Sequence, residues 1–372
     1  MNNRIKTATA TVCLAALRHN LQRVKQLAQN SKIMAIVKAN AYGHGMERVA
    51  SAVVNQVDGY GVARLSEALA LRAQGISKPI LLLEGFFNPA DIALLAEYDL
   101  QTVIHGEYQL EALESAMLPE ALSDKKIKVW IKIDSGMHRL GVALTQVDSI
   151  HQRLQACHHV QPDIGFVSHF SRAEELACGY SEIQLHRFRQ ACAGKGGERS
   201  LAASNGILYW QESHFDWVRP GIILYGISPN DTILAGEYGL QPAMTLSSSL
   251  IAVREHAAGE PVGYGGKWIS RKATKIGVIA LGYGDGYPRD VPPNTPVLLN
   301  GKRVPIVGKV SMDMITVDLG ADSCAQVGDE VIFWGKDSQG NVLPIEEVAR
   351  HIGVISYELV TKITPRVIME YR

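Results

Sequence analysis

Apolar runs alternate with amphipathic stretches across the first two-thirds of the chain, the pattern of repeated strand and helix units that build a parallel sheet. Eight runs read as strands, at Ile33–Val37, Gly59–Ala63, Ile80–Glu84, Thr102–His105, Ile127–Asp134, Ile164–His169, Ser200–Ser204 and Phe215–Arg219. Between them the stretches Leu65–Gln74, Pro89–Tyr98 and Ser181–Ala193 carry helical spacing, and Leu14, Leu17, Leu21, Val24 and Leu27 make one apolar stripe before the first strand. Eight such units predict an α/β fold, a closed N-terminal (β/α)8 TIM-like barrel. An open doubly wound sheet is the alternative, but it needs a topological switch point and usually has fewer strands.

After about Asp231 the texture changes. SSSLIAVREH, KATKIGVIAL, TPVLLNGKRVPIVGKV, MITVDLG and DEVIFWG are short strands divided by Gly, Pro and Asn turns, which predicts a mostly antiparallel β domain. Glu346–Ile352 and YELVTKI read as short helices inside it. The chain thus divides into a barrel over residues 1–235 and a β domain over 236–372, with TATATV in residues 1–12 able to add a strand to the second.

Composition narrows the function classes. Lys plus Arg and Asp plus Glu are both 37, so no net field draws the chain to nucleic acid or an anionic membrane. No apolar run reaches the length of a membrane helix, and the N-terminus lacks a small-residue cleavage site, so a cytoplasmic protein is expected. The five cysteines, Cys13, Cys157, Cys178, Cys192 and Cys324, are scattered and form no CxxC pair, which indicates neither a disulfide framework nor a zinc site. Cys157-His158-His159 reads as a surface helix end, because adjacent residues point in different directions.

In a barrel, residues at the carboxyl ends of the strands face the active site. Lys38 ends the run IMAIV; alone it reads equally as a lysine snorkelling to solvent. Arg139 follows the fifth strand, His169 ends the sixth, Ser204 the seventh and Arg219 the eighth, so several polar groups converge on one mouth. The loops after strands seven and eight commonly hold a phosphate in this fold, and here they offer the Ser204 hydroxyl and backbone N–H groups near Gly221 and Ile222. A lysine beside a phosphate seat points to pyridoxal 5'-phosphate. A metal-dependent hydrolase built on His44, His138 and His169 lacks carboxylate ligands at the strand ends apart from Asp134 and leaves Lys38 without a role, so no metal is expected.

The segments AIVKANAYGHG, KIDSGMHRLG, VSHFSRAEE, AAS, VRPGIILYG, VGYGG, GKVSMDM and SYEL, in this order, resemble the motif series of the alanine racemase family across nearly the whole chain. That resemblance implies interconversion of L- and D-alanine, whether to supply D-alanine for peptidoglycan or to degrade it. It implies a Schiff base at Lys38 and phosphate contacts from Tyr42, Ser204, Gly221, Ile222 and Tyr357. It further implies a homodimer with shared active sites, in which Tyr264, Met312 and Asp313 come from the partner subunit.

Racemisation requires a proton-handling group on each face of Cα. By the resemblance these are Lys38, neutral once its pKa is lowered, and Tyr264, assisted by His169 through hydrogen bonding and nearby positive charge. Arg219 would face the pyridine nitrogen, where a guanidinium donates but cannot accept a proton and so damps competing transamination. Arg139 would reach the cofactor's phenolic oxygen and the substrate carboxylate. Crowding by Tyr264, Tyr357 and Met312 favours a small side chain, and Lys132 matches a lysine carbamylated in some relatives. The chain departs from the family where Ser200-Leu201-Ala202-Ala203-Ser204 replaces HxANS, and where Ser311 replaces a cysteine. A racemase of another small amino acid such as serine, a pyridoxal-dependent decarboxylase of the same architecture and a non-catalytic cofactor-handling barrel are the rival readings.

Overall fold

A computed structural model describes residues 5–230 and 232–372. The chain forms two compact units, one made of Asn20–Ala41 and Met46–Leu224, the other of the chain up to His19, Tyr42–Gly45 and Tyr225–Arg372.

The first unit is built on an eight-stranded parallel sheet. Its strands are Lys32–Ile36, Gly59–Val62, Ile80–Leu82, Gln101–Ile104, Val129–Lys132, Gly165–Val167, Arg199–Ser200 and Trp217–Val218. Each pairs with the next in sequence order from the first to the seventh, and the eighth returns beside the first through Lys32–Trp217 and Ile33–Val218. A parallel bridge between Ala203 and Arg219 joins the seventh strand's end to the eighth and closes the ring. This is the barrel expected from the alternating pattern, and each expected strand overlaps an observed one: the first and fourth are shifted by one residue at the same length, the others are shorter, and the seventh shares only Ser200 with its predicted range because the residues after it lead into the loop. The helices Leu65–Ala73, Asp91–Glu97 and Tyr180–Ala191 fall in the predicted stretches.

The helix Leu14–Leu27 buries Leu17, Leu21 and Val24 from its stripe, each burial worth roughly 1.5–3 kcal/mol of transfer free energy. Inside the barrel, Trp130 is fully buried and lies against Gly165, where an added Cβ would come within 2.4 Å of the indole ring. The strand therefore carries glycine there so that a large aromatic can fill the interior.

The second unit holds a nine-stranded sheet. Met244–His256 is its longest strand; it pairs antiparallel with Glu330–Lys336 along its first half and with Thr274–Ile279 along its second, through bulges after Leu246 and Leu250. Thr9–Val12 pairs antiparallel with Met244–Ser247 and parallel with Ile368–Tyr371, so the TATATV alternation does form a strand of this sheet. Helices occupy Ile345–Ile352 and Ser356–Thr361. Tyr225 packs with this unit, its carbonyl accepting the Ala243 N–H at 3.0 Å, and so the barrel unit closes at Leu224, short of residue 235.

Candidate active site

The chain after Lys38 leaves the first barrel strand in an unusual way. Ala39, Asn40, Ala41 and Tyr42 all have left-handed backbone, with φ of 51°, 54°, 53° and 51°. For non-glycine residues this costs about 1–2 kcal/mol each, so the surroundings must hold it. Glu67 accepts the Ala39 N–H at 2.7 Å and the Asn40 side chain accepts the Met46 N–H at 2.9 Å. The reversed turn fixes the backbone on the carboxyl side of Lys38, and none of its residues is a glycine that would have announced it.

Around Lys38 the barrel unit gathers cations. Burial lowers the Lys38 pKa and Arg139 and Arg64 push in the same direction, against opposing pulls from Glu84 and Glu67. Lys132, at the end of the fifth strand, is brought down to about 8 by burial and by Arg219, Arg139 and Lys38. His169 is held well below the usual imidazole range by burial and then by Arg219, Lys132, Arg139 and Lys38. Its ring is therefore neutral at physiological pH. The one acid that acts on both Lys38 and Lys132, Glu84, is paired with Arg64.

Arg219 is 4% exposed, and burial lowers its pKa to about 10, so it stays charged near neutrality. Neither Glu212 nor Asp216 pairs with it: Glu212 binds Arg189, and Asp216 accepts the Arg199 N–H. Its guanidinium instead donates to Ser200 Oγ at 2.6 Å, to Ser168 O at 2.6 Å and to Leu201 O at 3.2 Å, with His169 Nδ1 at 3.4 Å. A neutral imidazole that accepts at Nδ1 carries its proton on Nε2 and offers it as a donor. Any assistance His169 gives a neighbouring phenol is thus hydrogen bonding from a neutral ring; the positive charge beside it is that of Arg219.

Ser200 stands where the family's histidine was expected, and it does a definite job. It accepts from Arg219 while donating its own proton to Trp217 O at 2.8 Å. Ser200→Ala therefore removes the acceptor of a buried cation and the donor to a buried carbonyl. We expect a loss of about 2–3 kcal/mol in denaturant unfolding; a loss below about 0.5 kcal/mol would show that water replaces the hydroxyl at no cost. Asp134, weighed in the sequence only as a metal ligand, shapes the loop leading to Arg139. Its Oδ1 accepts the N–H groups of Gly136 and His138, both at 3.0 Å, and its Oδ2 lies 2.9 Å from His138 Nδ1. The Asp-Ser-Gly string is a turn signal that could have revealed this.

Of the residues expected to seat a phosphate, Ser204, Gly221 and Ile222 lie in the barrel unit, where a hydroxyl stands next to a turn. Ser204 starts a short helix, is 5% exposed, and accepts the Gly221 N–H at 3.2 Å; Ile222 follows, fully buried. On the other unit, Tyr42 packs against Tyr357 and Tyr225 with ring centroids 5.9 and 5.1 Å away. Burial pushes the Tyr42 phenol up to about 12, which keeps it protonated. Tyr264 and Met312 also stand on that unit and are 69% and 52% exposed, and Asp313 is exposed beside them in sequence. Among the described residues, no group of three or more His, Cys, Asp and Glu side chains is arranged to hold a metal ion.

Residues 12–229 match the family model described as the N-terminal domain of alanine racemase, and residues 243–371 match that of its C-terminal domain. The alanine racemases of Actinobacillus succinogenes and Pasteurella multocida are 62% and 61% identical over 367 residues, 99% of this chain and 99% of each of theirs. The crystal structure of the biosynthetic alanine racemase of Pseudomonas aeruginosa superposes with a TM-score of 0.93 at 43% identity, over 99% of this chain and 100% of that one. With both of its domains matched and relatives this similar along its whole length, the chain belongs to the alanine racemase family.

Proposed function

We propose that this protein interconverts L-alanine and D-alanine by a two-base mechanism, with pyridoxal 5'-phosphate as cofactor and two protomers sharing each active site. The observation that carries this reading is the cluster of Lys38, Lys132, Arg139 and Arg219 on one barrel, with depressed lysine pKa values and with Glu84, the acid that acts on both lysines, already paired with Arg64. Such a mouth fits a dianionic phosphate ester with a carbonyl that a neutral amine can attack. Lys38 would hold the cofactor covalently. Ser204 and the backbone of Gly221 and Ile222, with Tyr42 and Tyr357, would hold its phosphate, and Arg219 its ring nitrogen. When bound, pyridoxal phosphate supplies an electron sink that acidifies the Cα–H of an amino acid.

The remaining chemistry belongs to side chains. Arg139 binds the substrate carboxylate, which a guanidinium fork grips in two places. Lys38 removes or returns the proton on one face of Cα and Tyr264 does so on the other, its phenol hydrogen-bonded by neutral His169. Arg219 is supported by Ser200, Ser168 and Leu201 rather than by a carboxylate, so its guanidinium would hold the cofactor's ring nitrogen as a hydrogen-bond donor and would not supply it with a proton. This favours return of the proton to Cα. Met312 and Asp313 of the β domain, residues 236–372, complete the pocket of the partner's barrel, residues 1–235. Their exposure, like that of Tyr264, supports a role outside their own protomer. A cytoplasmic location suits the substrate, and among the described residues no helix is long and apolar enough to cross a membrane.

Lys132 adds a chemical prediction. At a pKa of about 8 an appreciable neutral fraction exists near pH 7.5, able to attack CO2 and release a proton to form a carbamate. The resulting anion would sit between Arg139 and Arg219 and relieve their mutual repulsion. Native mass measurement should show a gain equal to one CO2, lost after mild acid; an unchanged mass on acid treatment would count against it. The function itself is tested by chiral chromatography after incubation with L-alanine and with a panel of other L-amino acids. Accumulation of D-alanine to near equality supports it, whereas ethylamine and CO2, or no product, would reject it.

A further inference from the structure

The turn that carries Met312 and Asp313 is held by backbone hydrogen bonds and by one side chain that the sequence gives no reason to notice. The Ser311 N–H donates to Met314 O at 2.9 Å, which folds these residues into a tight turn before the strand Ile315–Asp318. That turn lies on the backbone of Gly282–Gly286. The N–H groups of Tyr283 and Gly284 donate to Ser311 O at 3.1 Å and Met312 O at 2.9 Å. The approach is so close that a Cβ on Gly282 would fall 2.2 Å from Met312 O. Beneath it runs the segment Lys362–Arg366, with Thr364 N donating to Asp285 O and Thr364 Oγ1 to Gly284 O at 3.0 Å.

Arg366 ties the three layers together through side chains. Its Nη2 donates to Asp313 Oδ1 at 2.7 Å and its Nε lies 3.3 Å from Asp285 Oδ1. Asp285 is 7% exposed, and its second oxygen accepts the Gly282 N–H at 2.9 Å. One carboxylate is therefore built into the buried turn and the other into the exposed one, and a single guanidinium bridges them. The planar fork is what permits this, since two donors on one rigid group address two acceptors at once. An ammonium would reach one carboxylate well and the other poorly.

The geometry assigns Arg366 as a positioning residue: it locks the Met312–Asp313 turn onto the Gly282–Gly286 turn so that this turn is presented in one conformation to the alanine pocket of a second copy of the chain. The assignment rests on the proposed role of Met312 and Asp313 in that pocket. An exposed ion pair contributes little to stability, so the expected consequence lies in substrate binding rather than in folding. Removing Arg366 altogether, however, strands buried Asp285, and for that reason the milder Arg366→Lys carries the test if Arg366→Ala fails to fold.

The experiment is a double-mutant cycle on the full-length, cofactor-loaded protein, measuring kcat and KM for L- and D-alanine with Arg366→Lys, Arg366→Ala, Asp313→Asn and the Arg366→Ala/Asp313→Asn pair, alongside thermal melting. We expect KM to rise about tenfold for Arg366→Ala and for Asp313→Asn, with kcat within about threefold of the parent and the pair no worse than the worse single change. Arg366→Lys should give a smaller rise in KM with an unchanged melting temperature. Effects that multiply in the pair, or a rise with Arg366→Ala that Asp313→Asn does not share, would overturn the assignment. If Asp313→Asn and Met312→Ala both leave KM unmoved, the failure lies instead in the reading that places this turn in the pocket.

Discussion

Lys38→Ala should leave a folded protein that no longer holds pyridoxal phosphate covalently, lacks its visible absorption band, and racemises alanine at least about a thousandfold more slowly. Two roles are lost together, the amine that anchors the cofactor and the base that serves one face of Cα. The second depends on charge state. Burial and the neighbouring Arg139 hold the Lys38 pKa below 10.5, which enlarges the neutral fraction at any given pH. Turnover limited by that amine therefore rises with pH until the lowered pKa is passed, and falls as the amine is protonated at lower pH. Folding should survive, because the substitution removes a cation from a group of cations and leaves the Glu67 and Asn40 contacts that hold the following turn. Circular dichroism and a melting temperature equal to or above the parent's would check this. Small external amines should restore part of the activity by supplying the missing base. The alternative anchor is Lys132, whose pKa of about 8 also makes it a competent nucleophile. A full absorption band with retained racemisation in Lys38→Ala would transfer the role to Lys132 and sink the assignment.

The barrel was legible because burying a parallel sheet requires the periodicity that the chain displays, and each of its eight strands overlaps a run read from the sequence, the seventh by Ser200 alone. The strand ends were also legible, and of the residues read there Lys38, Arg139 and Arg219 do act together on His169. What the sequence hides is the second partner of each group. The left-handed turn after Lys38 runs through Ala39, Ala41 and Tyr42, residue types that disfavour φ near +50°, and only Asn40 is of a type that tolerates it; Glu67, from a helix further along, holds the turn by accepting the Ala39 N–H. Ser200 looked like a missing histidine, whereas the hydroxyl bridges Arg219 and the Trp217 carbonyl, a role set by two residues of the next strand. Arg366 lies in a segment without periodicity or motif. Its meaning comes from carboxylates 53 and 81 positions earlier in the chain, at Asp313 and Asp285, brought together only by the folded β unit.

Tyr264→Phe should abolish racemisation while sparing exchange of the α-proton of one enantiomer. The phenol is held out on a small hairpin, Pro261–Val262 against Trp268–Ile269, with glycines at 263, 265 and 266 in left-handed backbone around it. Below the hairpin, Val262 packs with Ile276 and Val307, and Trp268 joins them. The hairpin is thus anchored at its base, and yet the Tyr264 ring itself is 69% exposed, an arrangement that a protein surface gains nothing from unless another surface receives it. Removing only the hydroxyl keeps the ring and the hairpin, so the loss should fall on proton transfer at one face. In deuterium exchange followed by NMR, one enantiomer should slow by about 10²–10⁴-fold and the other by far less; equal losses for both would defeat the two-base assignment. Whether the phenol serves its own protomer or a neighbour's is decided by mixing. Lys38→Ala and Tyr264→Phe should each be inactive alone. If a site takes its lysine from one protomer and its tyrosine from the other, every mixed dimer contains one site with both groups intact. Equal mixing with subunit exchange then restores about a quarter of parental activity, because roughly half the dimers are mixed and each has one good site of two. If both groups act within a single chain, no mixture contains an intact site, and a mixture that stays inactive after verified exchange would rule out the shared site.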